Sequence, residues 1–178
     1  MPFPASGFTA QQWRLITKLP AEVMIATIAI RDGDSPDDDD SGGVRRRRHT
    51  VAEGLAGLDA IAAGRSSDSD LVRAVVAAIY AEPEEDRPEQ PAHRDPQALR
   101  TQVLADCRQA NEILRAVADP ADGAAYRHWV QQVAVRVCAA ARSGGVLGLG
   151  VEPSFPGQPA GGEADLDRFL AELGAALS

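Results

Sequence analysis

Residues 95–117 read DPQALRTQVLADCRQANEILRAV, and this stretch decides the fold class. Leu99, Val103, Cys107, Ala110, Leu114 and Val117 recur every three or four residues, which gathers them on one face of a helix with 3.6 residues per turn. Asp95-Pro96 supplies the start: the carboxylate accepts from freed backbone N–H groups, and proline at the first helical position has no N–H to leave unpaired. Asp119-Pro120 repeats the device. From there Tyr126, Trp129, Val130, Val133 and Val137 line a second helix that runs to Gly144-Gly145. Beyond the loop GGVLGLGVEPSFPGQPAGG, Leu166, Phe169, Leu170, Leu173 and Leu177 mark a third amphipathic helix.

The N-terminal half reads less evenly. Thr9 precedes a face made of Phe8, Leu15, Ile16 and Leu19 with Trp13 beside it, and Pro20 is expected to end that helix. Residues 21–30, AEVMIATIAI, are apolar nearly all round and fit a buried helix or a buried strand. Helix is the better reading, because no second strand is at hand to pair with it. Residues 32–49, DGDSPDDDDSGGVRRRRH, read as a disordered charged loop, since only Val44 could anchor it. Thr50-Val51-Ala52-Glu53 has the form of a capping box opening the next helix, with Val51, Leu55, Leu58 and Ala62 inward and Gly64 at its end. Ser67 then caps a helix carrying Leu71, Val75, Ala78 and Ile79. Pro83, Pro88 and Pro91 among charges make residues 82–95 a Pro-rich linker.

The expected architecture is therefore all-α: a single-domain helical bundle of about six or seven helices spanning residues 1–178, in two helical groups sharing one core. Composition agrees. Of the 178 residues 44% are hydrophobic but only 4% aromatic, so small and aliphatic side chains must fill the core. No run approaches the roughly 18 to 20 apolar residues of a membrane span, and Met1-Pro2-Phe3-Pro4 lacks the pattern of a signal peptide. A cytoplasmic protein without a membrane partner is expected. A net charge of -8 repels polyphosphate at long range and argues against nucleic acid as partner.

Catalytic motifs are sparse. Cys107 and Cys138 lie in separate helical patterns without disulfide or zinc spacing and read as small buried hydrophobes. His49, His93 and His128 are scattered, and His128 has no ligand-type residue three or four positions away. Asp37, Asp39, Ser41, Gly42 and Val44 match five positions of a calcium-binding EF-hand loop, but Arg48 stands where the loop needs a bidentate acid. The run Arg45 to Arg48 is screened by the acids before it. Gly144, Gly145, Gly148 and Gly150 could converge backbone N–H groups on a phosphate. They follow no strand and lack the lysine of a P-loop, so a helix end with a tight apolar loop is the simpler reading. Tyr126 and Trp129, three residues apart on an apolar face, read first as core and second as an aromatic partner site.

The pattern Y126-x-x-W129 followed by G144-G145-x-L-G148-x-G150 resembles that of a group of small bacterial all-helical proteins, as do Phe8 to Trp13 and Leu19-Pro20. The resemblance covers most of the chain apart from the charged insertion. It implies a helical bundle and carries no chemistry. Taken together, the residues lead to the expectation of a non-catalytic interaction or scaffold protein, acting on a protein partner or on itself, without a cofactor. The alternatives are a small-ligand or metal-dependent enzyme with its site between the two helical groups, and a nucleic-acid adaptor using the arginine run.

Overall fold

The computed structural model describes residues 7–32, 40–81, 95–143 and 161–178; within these, the side chains of 32, 40–49, 143 and 161–163 are left aside. Six helices account for nearly all of it, with no strand among the described residues: α1 (Ala10–Asp32), α2 (Asp40–Ala63), α3 (Asp70–Ala81), α4 (Pro96–Val117), α5 (Pro120–Ser143) and α6 (Gly161–Ala176). A 3-10 turn, Gly64–Ser66, joins α2 to α3. The protein is an all-α helical bundle.

α1 opens on a capping box: the Gln12 backbone N–H donates to Thr9 Oγ1 at 3.2 Å, and the Thr9 N–H donates to Gln12 Oε1 at 2.8 Å. Pro20 does not end this helix, contrary to the sequence expectation, and residues 10–32 form one continuous helix through it. The physical reason lies in α5. Proline lacks the N–H that would bond the Ile16 carbonyl, and the Tyr126 hydroxyl donates to that carbonyl instead, at 2.7 Å. The two segments expected on either side of Pro20 are thus one element, which brings the expected seven helical segments to six.

α1 and α2 run antiparallel. Met24 lies against Gly57, and Arg31 pairs with Glu53. α4 returns along the other side of α1, so that Val117 meets Gly7, whose φ of +146° suits glycine and whose missing Cβ leaves room for the Val117 methyl. The starts of α4 and α5 follow the sequence expectation: Gln97 N–H donates to Asp95 Oδ1 at 3.0 Å and Ala121 N–H to Asp119 Oδ1 at 2.8 Å. α3 is capped two residues later than expected. Ser69, not Ser67, accepts from the Val72 N–H, and its hydroxyl donates to Asp122 of α5 at 2.6 Å. α6 is tied to α4 by a two-pronged Arg100–Glu172 pair at 2.8 and 3.1 Å, and to α5 by Arg142–Asp167 at 2.6 Å.

α2 departs most from the sequence reading. Of the insertion 32–49, expected as a loop, Asp32 ends α1, residues 33–39 lie outside the described residues, and 40–49 are helical, so Arg45 to Arg48 lie on a helix. Arginine is a good helix former, and an acid at the N-terminal end suits the helix dipole. Thr50 is then interior to α2 and not at its start, while Glu53 is fully buried and reaches Arg31. The inner face is also the opposite of the expected one: Glu53, Gly57, Ala60 and Ile61 point in, and Val51, Leu55 and Leu58 point out. Residues 82–94 of the proposed linker lie outside the described residues.

One apolar cluster joins all six helices. Ile16, Leu19 and Val23 of α1, Ile61 of α2, Val72 and Val76 of α3, Val103 and Leu114 of α4, Val130 and Val133 of α5, and Phe169 and Leu173 of α6 all belong to it.

Candidate interaction surface

Of the residues singled out in the sequence, Tyr126 and Trp129 are the best defined. Both are buried, with ring centroids 5.8 Å apart at 68°, the edge-to-face arrangement favoured by aromatic quadrupoles. Each polar tip meets a backbone carbonyl on another helix: Tyr126 OH meets Ile16 of α1, and Trp129 Nε1 meets Ala60 of α2 at 3.1 Å. Trp129 also fills the space above Gly64, where an added Cβ would stand 2.9 Å from the indole. The pair staples α1, α2 and α5 together and presents no aromatic face to a partner. Gly144, Gly145, Gly148 and Gly150 lie outside the described residues.

The buried thiols and the Tyr126 hydroxyl are held protonated. Burial pushes the Cys107 thiol up to about 12, with the nearby carboxylates of Asp106 and Glu22 acting in the same direction. Burial pushes Cys138 up to about 11. The Tyr126 hydroxyl is driven well above its usual range, first by burial and then by Cys107 and Glu22. Such groups are poor nucleophiles near neutral pH. Among the described residues, no three His, Cys, Asp or Glu side chains stand together as metal ligands, and His128 is exposed on α5. No described helix is long and apolar enough to cross a membrane.

The outward face of α2 is the feature that sequence reasoning placed wrongly. Val51, Leu55 and Leu58 are 61%, 62% and 49% exposed. Their spacing of four and then three residues, continued by half-buried Ala62, is the spacing that keeps side chains on one seam of a paired helix. Gly54 and Ala56 beside the seam are small, and nothing lies within 4 Å of where a Gly54 Cβ would be. The inner face explains the inversion. Gly57 lets α2 approach α1 and α5 so closely that an added Cβ would stand 2.5 Å from Met24 and 3.0 Å from Val137. Ion-paired Glu53, the small residues Gly57 and Ala60, and Ile61 therefore occupy the core side, and Val51, Leu55 and Leu58 are left outside.

Comparison with family models, with curated proteins and with solved structures found no match.

Proposed function

We propose that this chain is a non-catalytic interaction protein that self-associates through the outward face of α2. The observation that supports this is the row Val51, Leu55 and Leu58, three large aliphatic side chains in solvent at coiled-coil spacing on a helix whose other face is fully used. A second copy brings an identical row, and a two-fold axis lets one surface serve as both halves of the contact. Charge sets the direction. Side-by-side parallel α2 helices would align Arg45 to Arg48 of both copies, whereas antiparallel helices crossing at Leu55 hold the two arginine runs apart.

Sedimentation velocity over a range of concentrations tests the reading. A dimer is expected for the natural chain, and a monomer with an unchanged far-ultraviolet circular dichroism spectrum for Leu55→Glu combined with Leu58→Glu. A natural chain that stays monomeric up to about 100 μM, well above the dissociation constants of most specific complexes, would overturn the proposal. So would a dimer that survives the double substitution.

A further inference from the structure

Most of the cations among the described residues of this acidic protein are committed. Among the described residues, Arg31, Arg73, Arg100, Arg142 and Arg168 pair with carboxylates. Arg115 and Arg127 donate to the Ser178 carbonyl and to Asn111 Oδ1, and Arg65 lies 4.1 Å from the centre of the Tyr80 ring. Arg14, Lys18, Arg108 and Arg136 have no such partner, and of these Arg14 and Lys18 line one concavity. It is an open groove of about 520 Å³ between the first half of α1 and the C-terminal half of α4. That volume lies within the range of small-molecule sites.

The lining of this groove is selective. Arg14 and Lys18 sit one turn apart on α1, Gln12 and Gln109 add amide groups, and Leu15 and Ile113 add apolar surface. Among the described residues no carboxylate lines it, and the first turn of α1 carries no acid. The positive end of the α1 dipole lies at the same end of the groove. Lys18, the only lysine in the chain, is half-buried and lines the groove together with Arg14. Two positive charges one turn apart match a dianion. The arginine fork and the lysine point charge are the two usual ways of holding phosphate oxygens.

From this juxtaposition we infer that the groove binds a small phosphate monoester, its dianion held by Arg14 and Lys18 and its organic part lying on Leu15 and Ile113. The site is separate from the outward face of α2, so the monomeric Leu55→Glu, Leu58→Glu variant can serve as the test protein, and binding is read independently of self-association.

Isothermal titration with phenyl phosphate at fixed ionic strength tests the assignment, with inorganic phosphate and benzoate as companions. Saturable binding of phenyl phosphate is expected at pH 8 and weaker binding near pH 5, where the monoester gains a proton around its second pKa of roughly 6. Lys18→Gln and Arg14→Gln should each weaken it about tenfold, the scale of one charge-assisted hydrogen bond. Arg136→Gln removes an equally unpartnered cation of α5 and should leave binding unchanged. The inference fails if phenyl phosphate shows no saturable binding up to about 10 mM, weaker than any small-ligand recognition of use. It fails equally if Lys18→Gln binds as tightly as the natural chain or if Arg136→Gln weakens binding as much. Inorganic phosphate or benzoate binding as tightly as phenyl phosphate would overturn the monoester assignment.

Discussion

Proline 20 leaves the Ile16 carbonyl without a helical donor, and a hydroxyl from 110 residues downstream supplies one. Tyr126→Phe keeps the ring and removes only that hydroxyl, so it should cost about 1 to 3 kcal/mol, the penalty of a buried acceptor left unmet. Urea denaturation measures it. In a Pro20→Ala background the N–H at position 20 can bond Ile16 itself, and the cost of Tyr126→Phe should shrink; equal costs in the two backgrounds would sever the link between proline and tyrosine. The thiols make a second prediction. Folded Cys107 holds its proton to about pH 12 against an ordinary value of 9.0, so between those values the folded chain binds more protons than the unfolded one. The resulting stability is complete below pH 9 and is lost as pH rises toward 12. Thermal melts from pH 8.5 upward should therefore show a falling Tm, less steep in Cys107→Val, and a disulfide probe of thiols should label the native protein far more slowly than the denatured one.

Element by element, local signals were read correctly and distant ones were not. Asp95-Pro96 and Asp119-Pro120 set their helix starts with atoms two residues away, so the sequence contains the whole cause. The faces of α4, α5 and α6 were legible for a similar reason: most of their large aliphatic residues are buried, with Val135 the exposed exception on α5. On α2 hydrophobicity pointed the wrong way, because the buried face was chosen by closeness to Met24 and Val137 and by Arg31, none of which is near in sequence. Tyr126 and Trp129 were legible as core, but not the carbonyls they serve, which lie on α1 and α2. The pair across α1 and α2 gives an asymmetric prediction. Arg31→Ala strands the fully buried Glu53 carboxylate and should cost about 3 to 5 kcal/mol. Glu53→Gln leaves Arg31, which is 28% exposed, a route to water and should cost less. Equal losses in urea melts would mean that the pair acts through packing rather than charge.

Across the whole molecule, the two helical groups suggested by the proline-rich segment share one core, because their apolar side chains form a single cluster. Tyr126 and Trp129 of α5 bond backbone on α1 and α2, Ser69 ahead of α3 bonds Asp122 of α5, and α6 is tied to both α4 and α5. Trp13 offers a second probe: it packs against Phe8 near the start of α1, with ring centroids 5.8 Å apart. In Trp129→Phe it becomes the sole tryptophan, and its fluorescence reports the N-terminal group, while circular dichroism reports every helix. The two signals should give the same urea midpoint, shifted below that of the natural chain by the loss of the indole bond to Ala60, because a single core admits one transition. A Trp13 midpoint below that of the dichroism would show that the first turns of α1 unfold independently, and the bundle would then consist of a C-terminal core with a separable N-terminal helix.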